Sequence, residues 1–248
     1  KNGHLVRALT RGDGYSGEDI THNIKTINAI PMISRGNKDN YPEFIEIRGE
    51  IFMLKSDFKK LNQVREQSDE KLFANARNAA AGSVRQLDPH ITAKRKLSIF
   101  CYEIGSSKGL DINSHWDMLS YLRYIGLPVN PLAEKIDNIE KMVRYHQTLE
   151  SQRENIGYEI DGSVIKVDDY LLRSDLGQRA RSPRWAIAAK FKSKDAETQI
   201  LDITLQVGRT GVITPVAKIK EVEISGAIIS SATLHNQDEI DKKDIRIN

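Results

Sequence analysis

The string Tyr158-Glu-Ile-Asp-Gly-Ser-Val-Ile-Lys-Val167 sets a carboxylate, a glycine and a lysine within six positions of one another in an otherwise β-prone run. An acid at Asp161 and a base at Lys166 suit a ligand that joins metal-bridged phosphate to hydrogen-bond acceptors, as a nucleotide does. Positions 161 and 166 have opposite parity, so a regular strand points them to opposite faces. If both line one pocket the alternation must break, and Gly162 is the residue that permits the break. Standing alone, the same string also fits a surface strand with two solvated charges.

Two other segments carry compatible patterns. Around Glu46-Ile-Arg-Gly-Glu-Ile-Phe52, Ile45, Ile47, Ile51 and Met53 fall on one face and Glu46, Arg48 and Glu50 on the other, the signature of a half-buried strand. In Trp185-Ala-Ile-Ala-Ala-Lys-Phe191, Lys190 shares its face only with Ala186 and Ala188. Small neighbours leave room for a ligand beside the ammonium, although a lysine snorkelling from a strand end gives the same pattern.

The 248 residues carry 37 basic and 34 acidic side chains, a net charge of +3, so any surface attractive to nucleic acid must be local. A hydrophobic share of 39% supports a packed core in one large or two smaller domains. The single cysteine, Cys101, lies in the apolar run Leu97-Ser-Ile-Phe-Cys-Tyr102 and reads as a buried thiol. One cysteine allows no internal disulfide and no zinc cluster, which fits a reducing cytoplasm. No signal peptide or long apolar stretch is present, so no membrane is expected as a partner.

Strand-like segments at about 4–11, 44–53, 97–104, 158–167 and 186–191 alternate with helical stretches, predicting an α+β domain with antiparallel sheet. One helix is predicted from Ser114, with Asp117 three residues on, a stripe of Trp116, Leu119 and Leu122, and Gly126 as its stop. A second is predicted over 138–153, with Ile139, Met142, Val143, His146 and Leu149 on one face, making His146 a core-edge residue. After about Ser193 the pattern changes to short strands and Gly-rich turns: Ile200–Val207, Gly208-Arg-Thr-Gly211, Ala217–Ile224 and Ala227–His235. That is how an oligonucleotide-binding (OB) barrel starts. At the other end, Lys1-Asn-Gly-His4 reads as a two-residue hairpin turn whose first strand lies outside this sequence.

Taken in order, these segments resemble the bacterial-type NAD⁺-dependent DNA ligases, members of the covalent nucleotidyltransferase superfamily. The resemblance rests on Thr10-Arg-Gly-Asp-Gly14 with Gly17-Glu-Asp-Ile-Thr21, Ile47-Arg-Gly-Glu-Ile-Phe52 and Phe73-Ala-Asn-Ala-Arg-Asn-Ala-Ala-Ala-Gly-Ser-Val-Arg-Gln-Leu-Asp-Pro89. It continues through Asp161-Gly-Ser-Val-Ile-Lys166, Ala188-Ala-Lys-Phe191 and Gln206-Val-Gly-Arg-Thr-Gly-Val-Ile-Thr-Pro215. It implies a nucleotidyltransferase adenylation domain over 1–193 and the first part of an OB-fold domain over 194–248. The implied reaction is the sealing of nicks in duplex DNA, with NAD⁺ as AMP donor and Mg²⁺ or Mn²⁺ as metal, in a cytoplasmic monomer.

By motif, Arg11, Glu50, Lys166 and Lys190 match nucleotide-contacting positions, and Tyr102 would stack on the adenine. Lys190, Lys166 and Asp161 would serve the chemistry, with Glu50 and Asp161 at Mg²⁺. Arg77, Arg85 and Arg153 match arginines that engage the nick, and Arg209 and Thr210 sit in a glycine-flanked turn suited to phosphate. An ordinary hairpin turn with one solvated arginine is the plain alternative there. Ala76 stands where many relatives carry proline. The family's adenylated lysine lies in a Lys-x-Asp-Gly string that does not occur in these 248 residues. The expectation is thus of an internal portion lacking the nucleophile, the nicotinamide-recognising module and the four-cysteine Zn²⁺ module. Two other readings stay open: a non-catalytic DNA-clamping piece, and an ATP-using ligase or capping-type nucleotidyltransferase. The Thr-Arg-Gly-Asp-Gly and Phe-Ala-Asn-x-Arg-Asn strings favour the NAD⁺ family.

Overall fold

A computed structural model describes residues 1–14, 16–37, 41–179, 182–192, 195–224 and 227–247. The chain divides into two compact units, Lys1–Phe191 and Lys192–Asn248. The boundary expected at 193/194 falls on residues outside the described ones.

In the first unit the elements run α1 (Thr21–Ile24), β1 (Phe44–Met53), α2 (Lys55–Gln67), α3 (Ala76–Val84), α4 (Pro89–Ala93) and β2 (Leu97–Lys108). They continue with α5 (His115–Tyr124), α6 (Ile139–Gln152), β3 (Gly162–Lys166), α7 (Tyr170–Leu176) and β4 (Ala186–Lys190). Two antiparallel pairs form, β1 with β2 and β3 with β4. The alternation read around β1 holds: Ile51 and Ile99 pack on a core of Ile24, Met53, Ala79, Ala80 and Leu97, while Ile47, Ile99 and Ile104 pack on Cys101, Met118, Leu119 and Leu122 of a second. Helices α3 and α5 thus cover one face of the β1–β2 pair and leave its other face for polar and aromatic side chains. Burial pushes the Cys101 thiol up to about 12, an inert core group as expected.

The helix ends follow local rules. Ser114 caps α5 by accepting from the Asp117 amide at 3.1 Å, and Gly126 at φ +88° turns the chain out of it. Asn75 and Asn138 cap α3 and α6 in the same way. Ala76 is the buried first residue of α3, the helical position where proline is also accommodated.

The strand expected at 4–11 is absent. Among the described residues the segment makes only the isolated bridges His4–Ile33 and Leu9–Asp19. The Leu5 amide donates to Met32 and the Thr10 amide to Glu18, so its hydrogen bonds are divided between two segments and no ladder propagates. The turn before it is as read: Asn2 and Gly3 both have positive φ, and the His4 amide donates to the Lys1 carbonyl at 2.9 Å.

The second unit contains β5 (Ile200–Val207), β6 (Ile213–Ile224), β7 (Ala227–Thr233) and α8 (Gln237–Lys242). The strands form an antiparallel meander in the order β5-β6-β7, with Ala217, Ile219 and Leu234 as its buried core, and the described strands do not close into a barrel. No helix among the described residues is long and apolar enough to cross a membrane.

Candidate active site

The open face of the β1–β2 pair is built by a register irregularity. Arg48 lies opposite Glu103 and Gly49 opposite Cys101, so Tyr102 is an extra residue in β2. Such a bulge breaks the alternation. Cys101 and Ile104 both belong to the α5-side core, although three positions apart they would take opposite faces in a regular strand. Gly49 is needed beside the bulge, because a Cβ there would lie 2.8 Å from Ile99 Cδ1 and 3.0 Å from the Phe100 carbonyl oxygen. The outcome is a surface on which Glu50 stands opposite Phe100, with Tyr102 and Glu103 alongside.

The β3–β4 pair presents the lysines. Register sets Gly162 opposite Lys190 and Lys166 opposite Ala186, so Lys166, Val164 and Lys190 share one face. The two lysine anchors are about 13 Å apart along the ladder, four residues at strand rise. Gly162 does not break the alternation, since β3 is regular from Gly162 to Lys166; it serves close approach instead, because a Cβ would lie 2.2 Å from the Ala189 carbonyl oxygen and only glycine lets the strands meet there. Asp161 precedes the regular strand, accepts the Phe191 amide on its own carbonyl at 2.9 Å and exposes its side chain. Tyr158, ahead of β3, packs on the β1–β2 pair, its ring 5.2 Å from Phe52 and 5.1 Å from Phe100, its hydroxyl donating to Asn130 Oδ1 at 2.9 Å.

Lys166 reaches that open face. Its Nζ lies 2.6 Å from Glu103 Oε2 and 5.5 Å from the centre of the Tyr102 ring. Arg11, Arg48, Glu50 and Glu103 act electrostatically on Tyr102, whose phenol is raised by burial first and by Glu50 next. Of the residues read as nucleotide contacts, Lys166 thus lies beside the half-exposed Tyr102 ring, and Glu50 and Arg11 act on it electrostatically. Lys190 lies at the far end of the ladder, exposed, with no ion pair among the described residues.

Glu103 was not among the expected site residues. Besides Lys166 it faces Arg173 Nη1 at 3.8 Å and His115 Nδ1 at 3.9 Å. Arg173 is 7% exposed, donates from Nε to the Val167 carbonyl at 2.6 Å, and lies 4.2 Å from the Trp185 and 4.7 Å from the Tyr170 ring centres. Burial, then Lys166, lowers His115 to about 4, so it is neutral near pH 7. Burial tends to raise Asp168, but Lys135 at 2.6 Å and the Trp116 amide outweigh it and hold its carboxyl below the ordinary range.

The arginines divide into separate places. Arg77 lies in the first turn of α3 and Arg85 at its C-cap, both exposed away from the buried stripe. Arg85 pairs with Glu18 at 3.2 Å, in the loop that carries Arg11, where Gly12 and Gly17 leave no space for a Cβ. Arg153 follows α6 and lies 5.9 Å from the Phe191 ring centre, beside the end of β4. His146, the expected core-edge histidine, bonds Ser163 Oγ at 2.8 Å and meets the Phe191 ring in a tilted arrangement, centroids 5.1 Å apart. Arg209 and Thr210 are exposed in the β5–β6 turn of the second unit. No group of three or more His, Cys, Asp or Glu side chains able to hold a metal occurs among the described residues. Mg²⁺ needs no such cage when substrate phosphates and one or two carboxylates complete its shell, and Glu50, exposed and with no ion pair among the described residues, fits that use.

The Lys166 ammonium, the half-exposed Tyr102 ring and the Glu50 and Glu103 carboxylates are brought to the open face of the β1–β2 pair, a set of groups suited to a nucleotide. The family model of the NAD-dependent DNA ligase adenylation domain matches residues 1–194, and that of the NAD-dependent DNA ligase OB-fold domain matches 197–248. The chain belongs to the NAD-dependent DNA ligase family. It is 52% identical over 246 residues to a DNA ligase of Geotalea daltonii, 51% over 247 to one of Syntrophus aciditrophicus and 49% over 245 to one of Geobacter metallireducens. Each alignment covers 99% of this chain but only 36%, 37% and 36% of those relatives.

Proposed function

We propose that these residues supply the AMP-binding cleft and part of the DNA-facing surface of a ligase that seals nicks in duplex DNA with NAD⁺. The observation that carries this reading is the placement of Lys166 and Lys190 on one face of the β3–β4 ladder, with Lys166 reaching the Tyr102 ring. A purely DNA-clamping piece has no use for a lysine that is mostly enclosed and held beside an available aromatic. In this reading Tyr102 stacks on the adenine, Glu50 binds the ribose or a hydrated Mg²⁺, and Lys166 and Lys190 engage the nucleotide along its length. Arg11 adds positive charge at the cleft, and Asp161 is a further carboxylate for the metal, which would neutralise phosphate charge.

The reaction proceeds by three in-line displacements at phosphorus. A lysine supplied by a Lys-x-Asp-Gly segment attacks the α-phosphate of NAD⁺ and expels nicotinamide mononucleotide. AMP then passes to the 5′-phosphate of the nick, and the 3′-hydroxyl displaces it. The protein's task in each is to position groups and stabilise developing charge. Arg77, Arg85, Arg153, Arg209 and Thr210 serve the DNA phosphates.

Intact-mass measurement tests the reading. A longer product that includes the Lys-x-Asp-Gly segment should gain one adenylyl group from NAD⁺ and none from ATP, whereas the 248 residues alone should gain none. An adduct on the 248-residue chain, or labelling by ATP alone, overturns it.

A further inference from the structure

We infer that Glu103 is a positioning residue for Lys166, a built-in counter-ion that holds the ammonium in the cleft and yields it to the nucleotide. This deepens the proposed AMP-binding reading and rests on it. The two carboxylate oxygens are divided between two kinds of partner. Oε2 takes the Lys166 ammonium at 2.6 Å, while Oε1 faces Arg173 Nη1 and His115 Nδ1.

The two sides differ in freedom. Arg173 is fixed by its bond to the Val167 carbonyl and by the Trp185 and Tyr170 rings. His115 is tied through the backbone, its amide donating to the Asp168 carbonyl at 2.8 Å. Neither can follow a ligand. Lys166 has a four-carbon stem and a point charge with three rotatable donors, so it can turn to a phosphate or ribose oxygen. When it turns, Arg173 stays beside Glu103 and the carboxylate is not left isolated, a condition for breaking an enclosed ion pair at acceptable cost. The bulge at Tyr102 makes the arrangement possible, because it brings adenine platform and counter-ion to the same surface.

An ion pair that nucleotide must break opposes ground-state binding, while the orientation it imposes favours reaction. Removing the charge should separate these effects. In the longer, adenylation-competent product, Glu103→Gln should bind NAD⁺ at least as tightly as wild type, yet transfer AMP about 10- to 100-fold more slowly, the scale of loss when a catalytic group is misplaced by about 1 Å. Glu103→Asp should recover much of the rate. In a Lys166→Ala background Glu103→Gln should cost little more, because its effect passes through the missing ammonium.

Single-turnover adenylation and calorimetric NAD⁺ affinity, with thermal unfolding to check the fold, decide the matter. Weaker binding together with slower transfer, or an equal penalty with and without Lys166, overturns the inference in favour of a structural carboxylate. Wild-type protein that neither binds NAD⁺ nor takes AMP from it would defeat the underlying functional reading instead.

Discussion

The two ends of the β3–β4 ladder hold the same residue type on the same face under opposite conditions. At one end Lys166 is 16% exposed and paired with Glu103, at the other Lys190 is exposed and has no ion pair among the described residues. Side-chain partners fix the first, and at the second only the backbone is fixed, by the close approach at Gly162. Loss of either lysine should therefore look alike in chemistry and unlike in stability. Lys166→Ala and Lys190→Ala should each cost about 3 kcal/mol of transition-state stabilisation in self-adenylation of the longer product. Lys166→Ala should also lower folding stability by about 2 kcal/mol, less than for a wholly buried pair because Arg173 still faces Glu103. Lys190→Ala should change stability by no more than about 0.5 kcal/mol. Urea unfolding beside adenylation rates would expose the contrast, and equal stability losses would break it.

A second test strikes the Lys190 end through the backbone. Gly162→Ala inserts a Cβ 2.2 Å from the Ala189 carbonyl oxygen and 2.8 Å from the Lys190 Cα, where backbone must move. The expected destabilisation is about 1–3 kcal/mol, as for other overpacked sites. Adenylation should fall with it although no charged group is touched. An unchanged unfolding midpoint would mean that the ladder yields freely and does not fix Lys190.

What the sequence disclosed, and what it concealed, follows the same division. β1 was legible because apolar and polar positions alternate along it, and α5 and α6 because their caps and apolar stripes agree. Lys166, Lys190, Tyr102, Glu50 and Arg11 could be named from motif order. Glu103 could not: alternation from Cys101 assigns it to the core face, and only the bulge turns it into the cleft. The segment at 4–11 misled for a related reason, since β-prone composition says nothing about whether one partner strand exists to pair with it. Arg153 matched by motif together with Arg77 and Arg85, yet it sits against Phe191 at the end of β4 while they flank α3.

The Lys166 end also carries a pH dependence. Burial lowers His115 from 6.5 to about 4, with Lys166 and Arg173 adding to the effect and Glu103 and Asp168 opposing it. A base whose folded-state value is lowered gains its proton first in the unfolded chain. Stability should therefore fall as pH drops from about 6.5 towards 4 and level off below, by on the order of 1–2 kcal/mol from this group after discounting for solvent screening. His115→Gln should flatten that part of the profile, read as the difference between the two proteins in urea midpoints at pH 7 and pH 5. Parallel profiles would remove His115 from the account.

The smallest expected effect lies in the second unit, where no ion pair among the described residues holds the residue of interest. Arg209 and Thr210 occupy the turn between β5 and β6, closed by Gly208 donating to the Val212 carbonyl at 2.8 Å and Gly211 donating to the Gly208 carbonyl at 2.9 Å. Gly211 has a φ of +81° and open space where a Cβ would stand, so the turn exposes backbone amides and one guanidinium to whatever approaches. A contact of this kind contributes one phosphate neutralisation and carries no sequence preference. In the longer product, Arg209→Ala should leave self-adenylation unchanged, weaken binding to nicked duplex and reduce the slope of log K against log salt by about 0.9. Thr210→Ala should lower affinity without altering that slope, since it removes a hydroxyl and no charge. Nick affinity measured at several salt concentrations, alongside sealing of a pre-adenylated nick, distinguishes the two. An Arg209→Ala protein with wild-type slope and sealing would return the turn to an ordinary hairpin. A loss of self-adenylation would instead show that the charged residues of the two units do not act separately.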